Sequence, residues 1–524
     1  MDFAEREQQK KRRLIRVILG EVAMVLAVIF IVTITLLITM GFFVTSDGRI
    51  EQTGLIQIHS IPTGASVTID GTTIFSRTNL SRSLAAGEHH LKLSRDNYDT
   101  WEKTIKMYSG LLMRLYYPRL FLLNRTPETM LNLDDNLEFY SASSERNFLL
   151  YAGQDSPLWQ LVNVASDDLK TTTLDLATIL PGVEQGIFRG AVAELTWSAG
   201  GDTVLTAIDY QDRREWLLIN LKDPTTSLNL TRTFGFDFDQ VELVNGTTNQ
   251  LFVLENHQLR RIDVASRQIS GVLLNQIETF SSQGSNLLYL TTPKTTEDQT
   301  TRIIGTYRDG ERGGTTLTTV TDDTNVLIAL SRYYDNDYLA YIIGDQLTVY
   351  YGSLPSYNEQ PTDPLANLEP LIESAQLTEA PTAFLVSPGG EYLVAQRDQA
   401  VTVIDLYMGD LYAYDLPEAT LAWLDDSLLY SIENGDFNVW DFDGTNRRQL
   451  VTDHAAEPGA ANLAADTNSD ADDTAGDDGL KPVTTLSASP LADYPAMITS
   501  NNKWLYYLTR TDDGYTLVRE QIWD

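Results

Sequence analysis

Not one of the 524 residues is cysteine. That removes structural disulfides, thiolate metal sites, cysteine nucleophiles and the acylated cysteine of a bacterial lipoprotein. Histidine is nearly as scarce: His59, His89, His90, His257 and His454 are the whole supply. No HExxH pair, G-x-S-x-G elbow, Walker glycine loop or G-x-G-x-x-G ahead of a helix occurs, which excludes an appended peptidase domain of those kinds. Positive charge is short as well, 38 Lys and Arg against 72 Asp and Glu, a formal balance of −34. With no basic patch in that acidic excess, nucleic acid is not an expected partner.

What is present begins with one long apolar run, "VAMVLAVIFIVTITLLITMGFFV", residues 22–44. At about 1.5 Å per residue it reaches across a hydrocarbon core of roughly 30 Å. It exceeds the apolar region of a cleavable signal peptide and does not end in small residues. Ahead of it stand Lys10, Lys11, Arg12, Arg13 and Arg16, and residues 1–20 balance at +3. The positive-inside rule therefore predicts a short cytoplasmic tail at 1–16, an uncleaved anchor at 17–45 and everything later outside, in a single-pass protein of the cytoplasmic membrane. A tail that short holds no output domain, so the working part is expected outside.

Residues 54–123 read as a small all-β unit. "LIQIHS" alternates, Pro62-Thr63-Gly64-Ala65 turns, "SVTID" alternates again, and Asp70-Gly71 is a hairpin signal. Gly87 precedes a further strand, and "WEKTIKMY" supplies another. These residues resemble the PEGA domain, a small extracytoplasmic β module of microbial envelope proteins, at Pro62, Gly64, Ala65, Asp70, Gly71, Leu84, Gly87, His89, Tyr98 and Trp101. Two turns depart from the family pattern, at Ser76-Arg77-Thr78-Asn79 and at Asn97 in place of glycine. The resemblance assigns 46–125 to a PEGA-like β domain and implies structure and interaction rather than chemistry. Adjacent strand residues point to opposite faces, so His89 and His90 are not expected to share a metal. Trp101 and Tyr98 are expected in the core.

From about residue 130 short strands recur between turn signals. "LTWSAGGDTVLTAI" (195–208), "FLVSPGGEYLVAQ" (384–396) and "MITSNNKWLYYLTR" (497–510) share an apolar strand end, a serine, a two- or three-residue turn rich in Gly, Asn or Pro, and an alternating strand. Looser copies lie at 139–153 and 280–290. The pattern resembles the W-S-P-D-G repeat of TolB-like and WD-repeat-like β-propellers, through Trp197-Ser198-Ala199-Gly200-Gly201-Asp202 and Ser387-Pro388-Gly389-Gly390. Units near 137, 193, 240, 277, 326, 381, 420 and 494 predict a propeller of seven or eight blades over 130–524. A pair of β-sandwiches is the competing architecture.

Residues 454–482 break the pattern, with almost no large apolar residue, and read as a disordered acidic surface insertion. Within it Asp466, Asn468, Asp470, Asp472 and Asp477 fall at the spacing of a calcium loop. Ala471 replaces the turn glycine and no helices flank it, so a solvated loop is the expected reading. Tyr333-Tyr334, Tyr350-Tyr351 and Tyr506-Tyr507 suggest an aromatic platform or, more in keeping with strand residues, blade packing.

No catalytic, cofactor-binding or metal residue is nominated, and no cofactor is expected. The expected fold class is an all-β ectodomain behind one transmembrane helix. The expected function is that of a non-enzymatic, membrane-anchored binding or scaffold protein of a bacterial cell envelope. Its propeller would dock an envelope protein or cell-wall glycan. The alternative is a propeller hydrolase or lyase acting on envelope carbohydrate through funnel carboxylates.

Overall fold

The computed structural model describes residues 3–524 apart from 40–41, 45–49, 134–135, 181–189, 211–212, 297–298, 322–323, 360–362, 417–420, 434–435, 452–495 and 512–513. The acidic insertion at 454–482 and its calcium-spaced residues lie outside the described residues. The chain divides into two compact units, Met1–Asn124 and Arg125–Asp524.

The first unit opens with one helix, Phe3–Thr39. Its segment Ile18–Leu36 has a mean hydropathy of 2.5 and no part of it is buried, which makes it a candidate membrane span. Thr33 and Thr35 donate their hydroxyls to the carbonyls of Ile29 and Ile31, at 2.8 Å each, so these polar groups are satisfied inside the helix. The helix ends sooner than the apolar run does. Phe42–Val44 is already a strand, paired antiparallel with Ile50–Gln52.

Two four-stranded sheets follow. One orders Phe42–Val44, Ile50–Ile58 and Leu80–Ala85, with Leu112–Leu115 joining Ile50–Ile58 in parallel. The other orders Thr72–Arg77, Ser66–Ile69, Gly87–Ser94 and Trp101–Met107. Burial alternates along the strands as period two requires: Val67 and Ile69, Leu91 and Leu93, Trp101, Ile105 and Met107 are inside. The corner at residues 60–65 is held by one buried hydroxyl. Thr78 Oγ1 accepts the N–H of Ala65 at 2.9 Å and pairs with Ser60 Oγ at 2.6 Å. The Ala65 carbonyl receives the Thr78 N–H, and Gly64 takes a left-handed φ of 82° at the bend. The tight corner thus lets the chain leave the first sheet and start the second within a few residues.

The second unit is a β-propeller. Its sheets number eight among the described residues, at 137–175, 190–229, 240–275, 277–320, 326–376, 383–415, 422–451 and 497–521, numbered blades 1 to 8 here. All are antiparallel. The first strands of successive blades touch: Trp197 Nε1 donates to Ser141 Oγ, Gln240 Nε2 to the Phe280 carbonyl, and the Leu330 N–H to Ser281 Oγ. First strands therefore converge on the axis, and every turn from first to second strand opens on the same face. Apolar clusters fill the seams between blades, such as Phe139, Leu150 and Trp159 against Leu195, Val204 and Leu217. Blade 8 is completed by a strand from the start of the unit, Glu128–Leu133, paired with Gly514–Gln521. That closes the ring, as a pair of sandwiches would not.

The repeat seen in the sequence has a physical cause at the first turn of each blade. Ser143, Ser198, Ser387 and Thr499 are buried, and their hydroxyl oxygens accept the N–H groups of Phe148, Thr203, Tyr392 and Trp504, five residues on. Three residues after each hydroxyl the backbone is left-handed, at Arg146, Gly201, Gly390 and Asn502. Gly284 holds the same place after Ser281. In blade 7 Asp425 does the work of the serine, accepting from Ser427 and Leu428.

Leu133 and Leu517 are buried in the closing seam between blades 8 and 1. We expect Leu133→Ala and Leu517→Ala each to cost about 2–5 kcal/mol. The double variant should depart from additivity by about 0.5–3 kcal/mol, read by denaturant titration, because both side chains share one seam. Additive losses would mean that the closing strand is not energetically part of the last blade.

Candidate functional site

At the left-handed place of the first turn, blades 1 and 8 carry Arg146 and Asn502, and blade 5 carries an aromatic residue. In blade 5 the residue three places after Ser331 is Tyr334, left-handed at φ 50° where three other blades place glycine. A bulky residue in that conformation is strained, and strain at an exposed position is a pointer to function. Tyr334 is 56% exposed. Its ring stands 4.6 Å from that of Tyr333, edge to face, and 6.4 Å from that of Tyr407, which belongs to a turn of blade 6. Tyr333 and Tyr407 are 6.1 Å apart, also edge to face.

Two devices hold this trio together. Ser331 turns away from its own hairpin and donates to the Gly390 carbonyl of blade 6 at 2.8 Å. A Cβ on Gly390 would meet the Arg332 carbonyl oxygen at 2.4 Å, so only glycine permits the two turns to approach this closely. Asp405, buried, accepts the N–H groups of Tyr407 and Met408 at 2.9 Å each and fixes the blade 6 turn.

Glu391 follows Gly390 at the edge of the cluster. Burial first, then the charge of Asp405, pushes its carboxyl up to about 7, against the hydroxyls of Tyr333 and Tyr392 that favour ionisation. The site is thus an exposed aromatic surface beside a carboxyl poised to titrate near neutrality. Burial, with Glu391 next, holds the Tyr333 phenol well above its ordinary range.

A second acidic group lies where the innermost strands converge. Glu242 of blade 3 accepts the Ser282 N–H at 3.0 Å, the Ser282 hydroxyl at 2.5 Å and the Gln240 amide at 2.6 Å. Burial outweighs these bonds and raises its carboxyl to about 7, with Glu194 of blade 2 contributing repulsion. Glu194 is itself raised, by burial above all, with Arg214 3.6 Å away opposing. Glu242 joins the inner strands of blades 3 and 4.

The other residues weighed from sequence fall elsewhere. Tyr506 and Tyr507 are buried in blade 8, and Tyr351 stacks on Tyr338 within blade 5. Trp101 and Tyr98 are buried in the first unit. His89 Nδ1 meets Asp70 Oδ2 at 2.7 Å and its Nε2 the Ala85 carbonyl at 2.9 Å, whereas His90 faces Glu102 at 3.8 Å. Among the described residues no group of three or more His, Asp or Glu gathers as a metal site. Tyr407 and Glu391 carried no signal of their own. The legible one was a tyrosine where the repeat places glycine.

Glu391 holds its proton more tightly folded than unfolded. Its contribution is full below about pH 4.5 and is lost as the pH rises through about 7. The unfolding temperature of the wild type should therefore fall across that window relative to Glu391→Gln, which stays neutral. A gap between the two that does not widen with pH overturns this assignment.

No curated protein matches the chain. Solved propeller structures do, at the level of fold. The Cps50 (Swd1) β-propeller domain of Myceliophteria thermophila shares 15% identity with a TM-score of 0.37, covering 60% of this chain and 99% of that one. An oligogalacturonate lyase in complex with manganese shares 9%, TM-score 0.39, covering 70% and 96%. Apo AztD from Citrobacter koseri shares 10%, TM-score 0.37, covering 74% and 94%. Residues 53–118 match the PEGA domain, so the chain joins a PEGA module to a β-propeller with eight sheets among the described residues.

Proposed function

We propose that the protein is a membrane-anchored, extracytoplasmic docking protein whose propeller binds a partner through the turn face of blades 5 and 6. The observation that carries this reading is the exposed Tyr333–Tyr334–Tyr407 cluster, built across two blades at the expense of a strained tyrosine. A rigid aromatic surface with a flanking carboxyl suits an envelope protein loop or the face of a wall sugar, since both offer apolar C–H surface beside hydrogen-bonding groups. The apolar helix supplies the anchor, and the PEGA module stands between it and the propeller in the chain. Such proteins work by position, with a stiff ring presenting loops from several repeats on one surface.

A second reading is favoured by one observation. Glu242 and Glu194 sit on converging inner strands with raised carboxyls, an arrangement that suits acid-assisted cleavage of a carbohydrate. Its test is Glu242→Gln assayed on wall glycan, where loss of turnover supports an enzyme.

The docking reading is tested with the double variant Tyr334→Gly/Tyr407→Ala, compared with wild type for retention of solubilised envelope proteins and of purified wall glycan. Loss of two exposed aromatic anchors should weaken capture by at least about tenfold while the unfolding temperature holds or rises, because the left-handed strain at residue 334 is relieved. Unchanged capture by the variant would remove the proposed surface.

A further inference from the structure

The acidic excess of the chain is not shared evenly. Residues 53–118, the PEGA module, carry seven Lys and Arg against five Asp and Glu, a balance of +2. Residues 119–524 carry 24 against 61. The cationic part is the part that follows the apolar helix directly.

The strand register places one edge of this module beside the end of that helix. Ile18–Leu36 spans about 28 Å, close to a hydrocarbon core, and Thr39 lies about 4.5 Å beyond it, at headgroup depth. Phe42 comes three residues later and pairs with Gln52, and the second strand then runs on past it through Thr53 to Leu55. Against this stretch packs the turn between Trp101–Met107 and Leu112–Leu115. The Gly110 N–H donates to the Thr53 carbonyl at 3.0 Å, and the Leu55 N–H to the Leu111 carbonyl at 2.9 Å. A Cβ on Gly54 would meet the Tyr108 carbonyl oxygen at 2.5 Å, so the turn is seated tightly and cannot be displaced by a side chain.

What this turn shows to solvent is unusual for a soluble surface. Tyr108 is 41% exposed, Leu111 48% and Leu55 39%. Lys106 stands 5.3 Å above the Tyr108 ring, and Arg114 lies one strand position pair along from Leu112, which faces Leu55. A tyrosine, two leucines and flanking basic groups at headgroup depth form the composition of a bilayer interface rather than of a protein core.

We propose that the Tyr108–Leu111 turn, with Leu55 and Lys106, docks on an anionic lipid surface and seats the PEGA module against the membrane. This rests on the reading of Phe3–Thr39 as a membrane anchor. The complementarity is one-sided: an anionic leaflet attracts the charge of the module and repels that of the propeller.

The absence of cysteine makes the test clean, because any introduced cysteine is the only labelling site. Full-length protein is reconstituted in nanodiscs of phosphatidylcholine with or without phosphatidylglycerol, with a fluorophore at Ser109→Cys, at Ser166→Cys in the propeller, or at Thr33→Cys in the helix. Quenching by spin-labelled lipid is then read at each position. We expect the Thr33 label to be quenched in both lipids and the Ser109 label to be quenched far more than the Ser166 label when phosphatidylglycerol is present. Lys106→Gln should lower the docked-to-free ratio about fivefold, the share of one surface cation. A quenched Thr33 label with a Ser109 label no more quenched than Ser166 overturns the docking surface alone. An unquenched Thr33 label overturns the anchor reading, and this inference with it.

Discussion

The propeller exists because a strand from its beginning finishes a sheet at its end. Glu128–Leu133 hydrogen-bonds along Gly514–Gln521, and around that ladder Arg519 reaches Glu128 at 2.8 Å while stacking 4.2 Å from the Trp504 ring. Arg125 adds a bond to Glu520 at 3.1 Å and one to the Leu450 carbonyl of blade 7. An open array of eight sheets would leave an exposed edge at each end and an unfilled apolar seam beside blade 1. Closure removes both at once, and it sets the angle available to each blade. Everything on the turn face, including the distance between blades 5 and 6, inherits its geometry from that constraint.

In most blades of the ring, one hydroxyl at the first turn decides how that turn is held. Where serine accepts its own hairpin's N–H, as Ser143, Ser198 and Ser387 do, the turn is self-contained and small. Ser331 is spent differently. By donating to Gly390 it ties two blades together and leaves its own turn to be held by other means, among them Arg332 bonded to Asp337 at 2.7 Å. Tyr334 keeps the left-handed backbone of the other first turns although its serine is spent across the seam: the site is stiff because it is a seam, and exposed because it is a turn.

This also explains how much could be read in advance. The repeats were legible, to within seven or eight blades, where a local rule, a hydroxyl accepting the N–H five residues on with a left-handed residue three on, writes itself into consecutive letters. The small β module was legible for the same reason, through Asp70-Gly71 and the corner at Pro62. Blade 3 was faint, since Val244–Gly246 forms a short helical turn there with Asn245 left-handed and no serine. The closing strand was invisible as such. "ETMLNL" has the look of a linker, and the residues that make it a strand lie some 390 positions away. The same limit hid Glu391 and Tyr407, whose significance comes from Tyr333 across a blade boundary. The acidic stretch of 454–482 offered plenty of local pattern and its reading falls outside the described residues.

Charge completes the argument that structure begins. A propeller with 61 acidic against 23 basic residues repels other acidic surfaces, wall polyanions and anionic lipid alike, over a Debye length of about 8–10 Å. Long-range attraction to such partners is therefore weak, and recognition must come from short-range contacts that tolerate or discharge negative charge. The blade 5–6 surface has both properties. Its tyrosines offer contact without charge, and burial, with Asp405 next, favours the protonated form of the Glu391 carboxyl beside them. For the docking role proposed above, an aromatic surface with an adjoining carboxyl offers short-range contact on a strongly anionic propeller.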